Sequence, residues 1–420
     1  MKGAALVFLG LLVGGAGGAA LAAADPAVTA AVLGVVRPIG RLWLAGLQMT
    51  VLPLLAAMLV VGVSEASATA GGRIARRALV WMVSLALLGG AVGAVMAPAL
   101  LATRTPDPRL VAALRAEALP APVGGPAFDG IASWVPPNLF AALASGTVVP
   151  VVVFTLCFAA ALTRLPEERR APILALARGI AEAMLVIVRW LLRLAPAGVA
   201  ALIVPVCVEA GGAALNALAV YLLVLLAVYA TIALVVYAVG GAGDRRRGRS
   251  IGRFAAAVLP AQAVAAGTQS SLATLPAMVD CATTRLGCPA SVTGLVLPLA
   301  VSLFRITSPA QYLTMAAFIA WADGTTLPPS ALLMAVLLAV VISLGAVGLP
   351  GQASLMSTSL PLVQSLGLPL EPLGLLLAVD FVPDVAATAV NVTADLAVTA
   401  RVAAAERDDH AVTDPAGPSG

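Results

Sequence analysis

A stripe of polar residues near the C-terminus has the residue types and the spacing of a binding site. Asp380, Asp384, Thr388, Asn391 and Asp395 follow one another at intervals of four, four, three and four residues. A helix with 3.6 residues per turn places all five on one narrow face. Three carboxylates beside a hydroxyl and an amide predict a buried site for something small and charged.

The residues around this stripe place it inside a membrane. Residues 375–395 are otherwise dominated by Leu, Val and Ala, and the 420-residue chain is 61% hydrophobic and 10% charged. Soluble proteins carry about a quarter charged residues. A carboxylate that faces lipid costs several kcal/mol. The composition therefore predicts an all-α, polytopic membrane protein, and it disfavours the alternative that the stripe is a solvated face of a soluble helix.

The basic residues predict the topology and not a nucleic-acid partner. Lys2 is the only lysine, and 11 of the 23 arginines cluster at 73–77, 164–170 and 245–253. These clusters follow the second, fourth and sixth apolar spans, so the positive-inside rule places them, and both termini, in the cytoplasm. Arg37 and Arg41 lie on the opposite side in this topology. Lipid headgroup binding by the 245–253 run is a lesser alternative.

The apolar spans change in kind along the chain. The first segment resembles a signal peptide, but its length favours a transmembrane helix. Residues 103–137 predict an external loop, and residues 408–420 predict a disordered tail. The first six spans are predicted at 4–24, 42–63, 78–101, 138–162, 171–208 and 215–239, with breaks near 146–150 and 193–198.

The second half predicts two interrupted hydrophobic segments, each followed by a full span. Residues 254–283 are interrupted at 267–276, and residues 331–366 are interrupted at 347–354. The full spans are residues 292–320 and the Asp-rich helix. Broken backbone at membrane depth is tolerated where it lines a cavity, and a pair of such segments is typical of a transporter binding site.

Cysteine and histidine usage argues against an enzyme or a metal centre. The only histidine, His410, lies in the tail, so no histidine can activate Ser270 or Ser271 as a nucleophile within the membrane. Core packing is the interpretation for the four cysteines, which show no metal-binding spacing: Cys157, Cys207, Cys281 and Cys288.

Three motifs together resemble the dicarboxylate/amino acid:cation symporter family, which includes glutamate and neutral amino acid transporters. They are Gln-Ser-Ser-Leu-Ala-Thr-Leu-Pro at 269–276, Gly-Leu-Pro-Gly-Gln-Ala at 348–353 and Val-Asn-Val-Thr-Ala-Asp at 390–395. Gln-Met-Thr-Val-Leu-Pro at 48–53 and Leu-Pro-Leu at 297–299 are also similar to family sequences. The resemblance covers nearly the whole chain.

The resemblance implies eight transmembrane helices plus two re-entrant helical hairpins in the cytoplasmic (inner or plasma) membrane. It implies a homotrimer in which a mobile transport domain carries a small-molecule substrate past a trimerisation scaffold, like an elevator. Residues 1–250 would be mostly scaffold, with the third span packing on the transport domain. Residues 251–407 would form the transport core, and residues 408–420 a disordered cytoplasmic tail.

The resemblance also implies roles for individual residues. Asp384 would hold a substrate amino group, and Thr388 and Asn391 would contact other polar groups of the substrate. Asp395 would contribute to a cation site, with a residual sodium site at Asn391 and Asp395. The residues that would close around the main substrate carboxylate belong to the two hairpin tips: Ser270, Ser271, Gly348 and Gly351.

The chain departs from the family pattern where sodium is expected. Residues 304–308 read Phe-Arg-Ile-Thr-Ser in place of Asn-Met-Asp-Gly-Thr, and Leu85-Ala86 replaces a hydroxyl pair. Ala387 stands where relatives specific for acidic substrates carry arginine. Phe304 and Ile306 offer no side-chain oxygen to a hard cation. Two sodium sites are therefore expected to be dismantled.

Arg305 is a positive charge that the family pattern does not have in this region. A guanidinium beside Asp384, Asp395 or both would supply the positive charge that sodium otherwise provides. Alternatively, Arg305 anchors an anionic group of the substrate, or it snorkels to the membrane surface. The sequence does not choose between the first two.

The predicted function is secondary active symport of a dicarboxylate or neutral amino acid, with altered or absent sodium coupling. No cofactor is predicted beyond the coupling cation, which is sodium or a proton. Asp380, Asp384 and Asp395 are the candidate proton carriers, since neighbouring carboxylates can share a proton. The alternative is a non-coupled anion channel or a transport-incompetent sensor.

Overall fold

A computed structural model describes residues 2–69, 72–117, 135–242, 250–345 and 351–413, and every regular element in these ranges is helical. The helices of the first half are α1 Lys2–Ala22, α2 Pro26–Thr69, α3 Arg73–Leu101, α4 Pro108–Glu117, α5 Leu139–Ala144, α6 Val148–Leu162, α7 Glu167–Arg193, α8 Ala195–Ala210 and α9 Gly212–Gly241. Those of the second half are α10 Ile251–Thr268, α11 Ser271–Asp280, a π-helical turn Cys281–Arg285, α12 Ala290–Leu303, α13 Thr307–Asp323, α14 Pro329–Gly345, α15 Gly351–Ser365, α16 Glu371–Val379 and α17 Phe381–Thr413.

The described residues include six helical stretches that are long and apolar enough to cross a bilayer. This confirms the multi-pass membrane class, whereas the count of eight spans stays a prediction. The six stretches are Pro26–Ser64, Arg73–Leu101, Glu167–Arg193, Gly212–Gly241, Ala290–Asp323 and Phe381–Arg407. Shorter apolar helices are Leu9–Ala22, Val148–Leu162, Ala195–Ala210 and Pro329–Leu344.

The first two helices are tied to α8. Helix α1 approaches α8 so closely that a Cβ atom on Gly14 would lie 2.8 Å from the Ala200 backbone. Helix α2 begins at Pro26, so the helix that contains the predicted second span, 42–63, also includes Arg37 and Arg41. Arg37 donates to the Glu209 carboxylate of α8 at 2.6 Å.

Several predicted interruptions are confirmed. Helices α5 and α6 are separated at 145–147, where Gly146 has a φ of +72° that favours glycine. Helix α7 gives way to α8 at Leu194, and the first hairpin turns at Gln269. The predicted external loop contains the helix α4, while residues 118–134 lie outside the described part of the chain.

The seventh span was expected to be continuous and is broken. Phe304 has an extended backbone (φ −127°, ψ 129°) between α12 and α13. The Asp-rich span is also interrupted, at Asp380 between α16 and α17. Each following helix has a proline as its third residue, Pro309 and Pro383, which suits a first turn because proline has no N–H to donate.

The end of α17 also differs from the prediction. The helix continues to Thr413, so the first six residues of the expected disordered tail, 408–413, are helical. Residues 414–420 lie outside the described ranges.

Contacts between helices divide the fold into two packed groups. Helices α1, α2, α6, α7 and α8 pack on one another, whereas α13 packs along α3 and α17 packs along α9, α10 and α12. Helix α3 also contacts α12, α14 and α17, and α9 contacts α13. Helix α2 contacts α14 and α15, and α16 contacts α1 and α8, so the two groups are joined at both places.

Two glycines of α3 allow the broken segment of the seventh span to pack directly against the α3 backbone. A Cβ atom on Gly89 would lie 2.4 Å from the Ile306 carbonyl oxygen, and one on Gly93 would lie 2.7 Å from that of Ala310. Small residues four apart let membrane helices approach to backbone contact. These glycines therefore set the position of the segment that carries Arg305.

Replacing Gly89 by alanine is expected to lower the melting temperature of the purified protein, because the new methyl group overlaps the Ile306 carbonyl. Gly294→Ala is the matched control, since no atom lies within 4 Å of a Cβ there. Alanine is favoured over glycine in a helix by about 1 kcal/mol, so the control should be neutral or stabilising. Equal melting temperatures for the two variants would contradict the close approach.

Candidate functional site

The broken seventh span is held to α17 by Asn391. The Oδ1 atom of Asn391 accepts hydrogen bonds from the backbone N of Thr307 at 3.1 Å and from its Oγ1 at 3.0 Å. Thr307 is the first residue of α13, so the amide satisfies a backbone donor that the helix itself leaves unpaired. Asn391 is buried. Asn391 thus acts as a cap supplied by another helix.

One turn further along α13, Gln311 makes the second link to the stripe. Its Nε2 atom donates to Asp380 Oδ1 at 2.6 Å, and Asp380 is 4% exposed. A buried carboxylate needs such donors, because an unsatisfied one carries a large desolvation cost. Gln311 therefore stabilises the carboxylate at the junction of α16 and α17.

Arg305 lies half-buried in the break between α12 and α13. Its guanidinium interacts electrostatically with the carboxylates of both Asp384 and Asp395. The role of Arg305, as the partner of Asp384, Asp395 or both or as an anchor for a substrate anion, stays a prediction. Asp384 is half-buried in the first turn of α17, and its carboxylate makes no hydrogen bond within the described residues.

Asp395 is the most enclosed member of the stripe. It is 1% exposed, and neither carboxylate oxygen has a hydrogen-bond partner among the described residues. With Asp380, Asp384 and Asp395 all ionised, one guanidinium leaves two negative charges uncompensated. The site therefore has capacity for a cationic substrate group or a proton, because uncompensated buried charge is strongly unfavourable.

The tip of the first hairpin lies against the start of α17. Ser270 caps α11, its Oγ accepting from the Ala273 backbone N at 3.2 Å. Gln269 has a left-handed backbone (φ +52°), and its Nε2 donates to the Phe381 carbonyl at 3.2 Å. Ser271 begins α11 and is half-buried. This helix N-terminus next to the aspartate stripe suits an anionic group.

The remaining predicted residues are placed less directly. Gly348 lies outside the described residues, and Gly351 is the first residue of α15. Thr388 is buried, but its hydroxyl donates to the Asp384 carbonyl at 2.8 Å within α17. The roles of both hairpin tips toward a substrate stay predictions.

The positions where sodium ligands were expected are apolar and buried. Leu85 and Ala86 are each 3% exposed, Phe304 is 3% and Ile306 is 0%. Their side chains offer no oxygen to a hard cation. Within the part of the chain that the structure describes, no group of three or more His, Cys, Asp or Glu side chains could hold a metal ion.

The residual sodium site expected at Asn391 and Asp395 meets two further obstacles. The Asn391 oxygen already accepts two hydrogen bonds from Thr307. A cation beside Asp395 would also be repelled by Arg305, which interacts with that carboxylate.

Sequence reasoning missed the polar partners of the stripe. No role was assigned to three residues that contact the Asp-rich span. Thr307 bonds to Asn391, Gln311 to Asp380 and Gln269 to Phe381. Gln262 was also missed, and its Nε2 donates to Thr393 Oγ1 at 2.7 Å. An amide within an apolar span requires a hydrogen-bond partner, so the three glutamines carried a usable signal.

Comparisons with known proteins show which family this chain belongs to. A family model described as the sodium:dicarboxylate symporter family matches residues 4–405. The chain is 29% identical to the proton/glutamate-aspartate symporter of Escherichia coli (strain K12), and the alignment covers 86% of this chain and 83% of that protein. It is 30% identical to the neutral amino acid transporter B(0) of Oryctolagus cuniculus (93% and 76%). It is 28% identical to C4-dicarboxylate transport protein 2 of Ralstonia nicotianae (89% and 84%). The chain therefore belongs to the sodium:dicarboxylate symporter family, which is a family of transporters and not of enzymes.

Proposed function

We propose that this protein is a secondary active symporter for a small amino acid, with Arg305 in place of a bound sodium ion. The observation that carries the proposal is the position of Arg305, in the broken seventh span, where it interacts with Asp384 and Asp395. A fixed guanidinium supplies part of the compensating charge without being transported. Coupling must then come from another ion.

The substrate class is inferred from the free groups of the site and from the relatives. Relatives are named for glutamate and aspartate, neutral amino acids and C4-dicarboxylates. The carboxylate of Asp384 suits a substrate ammonium group, and the tip at Ser270 and Ser271 suits a main carboxylate. Ala387 supplies no guanidinium for a side-chain carboxylate, which favours a neutral amino acid. A C4-dicarboxylate is the second candidate, because Arg305 could anchor its second carboxylate.

We assign the coupling ion as a proton carried by the aspartate stripe. Asp395 has two oxygens without hydrogen-bond partners among the described residues, so a proton can bind there without displacing an existing contact. Asp380 and Asp384 complete the set of candidates. Binding a proton also reduces the negative charge that Arg305 leaves uncompensated.

We also propose an elevator movement in a homotrimer in the cytoplasmic membrane, with both termini in the cytoplasm. The division into two packed groups supports this: α3 and α9–α17 would form the moving body, and α1, α2 and α6–α8 the fixed scaffold. This arrangement extends the predicted transport core, residues 251–407, by α3 and α9.

Uptake by purified protein in proteoliposomes is expected to persist when sodium is replaced by choline. An inward pH gradient, acidic outside, should drive accumulation of a radiolabelled neutral amino acid above equilibrium, and a protonophore should abolish that accumulation. C4-dicarboxylates assayed in parallel test the second substrate class. Strict sodium dependence would contradict the proposed coupling, and equilibration without accumulation would indicate a channel.

Arg305→Met is expected to abolish sodium-free uptake or to make uptake depend on added sodium, because the buried carboxylates lose their fixed positive charge. Initial uptake rates with and without sodium measure the effect. Arg285→Met, at an exposed arginine of the π-helical turn, is the matched control and should transport normally. Unchanged uptake by Arg305→Met would remove this residue from the mechanism.

A further inference from the structure

A second cavity lies away from the aspartate stripe, where α2 and α6 face α3, α12 and α14. Its volume is about 320 Å³, within the range of small-molecule binding sites. Its walls are almost entirely apolar, and among the described lining residues only Ser67 carries a hydroxyl. The main lining residues are Leu59, Val63, Leu79, Val83, Leu303 and Leu344.

Helical spacing indicates which polar groups lie toward one end of this cavity. Leu79 and Val83 of α3 line it, and Arg76 precedes them by three and seven residues on the same helix face. Arg76 is therefore one turn nearer to the N-terminus of α3. Since α2 ends at Thr69 and α3 begins at Arg73, Ser67 and Arg76 lie at the same end of the cavity.

Among the three arginines at this end, Arg76 is the one available to a ligand. Arg73 and Arg77 each donate to a carboxylate oxygen of Glu406 at 2.7 Å. Arg76 is exposed and makes no ion pair or side-chain hydrogen bond within the described residues. An exposed guanidinium without a partner among the described residues therefore lies one helical turn before the α3 residues that line the apolar cavity.

We propose that this cavity binds one acyl chain of an anionic phospholipid, whose headgroup phosphate contacts Arg76 and Ser67. A small soluble anion would make no favourable contact with the apolar walls. A zwitterionic lipid has no net negative charge to pair with the guanidinium. The distribution of arginines predicts that this end faces the cytoplasm, where anionic lipids attract basic residues by about 1 kcal/mol each. The bilayer supplies such a lipid directly.

The location makes the lipid a contact between the two packed groups of helices. Val63 belongs to α2 and Leu156 to α6, whereas Leu303 belongs to α12 and Leu344 to α14. Leu303 lies two residues before Arg305 in the chain. The acyl chain would therefore touch the backbone segment that positions the guanidinium of the proposed transport site.

The proposal is tested with full-length protein in vesicles of phosphatidylcholine and phosphatidylglycerol, in which one lipid at a time carries a photoreactive acyl chain. Phosphatidylglycerol is expected to label peptides that contain Val83 and Leu156 in preference to the exposed surface of α7. Arg76→Gln should reduce this labelling about five-fold, the equivalent of about 1 kcal/mol. Arg169→Gln, at an exposed arginine outside the cavity, is the matched control and should label as the unchanged protein does.

A second variant keeps the arginine and fills the cavity. Val83 is 38% exposed, so Val83→Trp is expected to fold while blocking the acyl chain, and labelling at Leu156 should be lost. Equal labelling by phosphatidylcholine, unchanged labelling in Arg76→Gln, or persistent labelling in a folded Val83→Trp would overturn the proposal. These readouts involve no transport, so their failure would leave the proposed function untouched.

Discussion

Uncompensated negative charge on α17 is the constraint on which the rest of the site depends. The three aspartates differ in how they are stabilised. Asp380 accepts a hydrogen bond from Gln311, Asp384 is partly open to a ligand, and Asp395 is enclosed without a hydrogen-bond donor among the described residues. In a low-dielectric interior such groups require a nearby positive charge, a proton or a cation. Arg305 is the positive charge that the protein itself provides.

The backbone around Arg305 is built to hold it there. The chain leaves the helix at Phe304 and resumes at Thr307, and Asn391 satisfies the donors of the new helix N-terminus. Gly89 and Gly93 of α3 allow the break to lie against another backbone. The break and its cap thus fix the backbone from which the Arg305 side chain extends.

Much of this arrangement was predictable from local signals. The first hairpin breaks at Gln269 and Ser270, within a run of small polar residues that favours a turn and a helix cap. The aspartate stripe follows from helical spacing, whereas the pairing of Arg305 with it stays a prediction that rests on the cost of buried charge. These features depend on residues close together in sequence, or on the requirement that a buried charge be compensated.

The rest depends on partners that are distant in sequence. No glycine or proline marks Phe304 to Ile306, so the break was missed, and its cap, Asn391, lies 84 residues away. The third-position prolines Pro309 and Pro383 carried a signal of helix starts, but proline is also tolerated inside membrane helices. The Gln311–Asp380 hydrogen bond requires the packing of α13 on the α16–α17 junction, which no local pattern specifies.

The central claim, that Arg305 compensates the buried charge of Asp395, is tested most directly by a double-mutant cycle measured by thermal unfolding in sodium-free buffer. Arg305→Met should lower the melting temperature, because the buried Asp395 carboxylate then has no positive charge to compensate it. Adding Asp395→Asn should recover much of that loss, with a coupling free energy of about 1–3 kcal/mol. Melting-temperature changes that simply add in the double variant would show that the two charges do not interact, and would contradict the account.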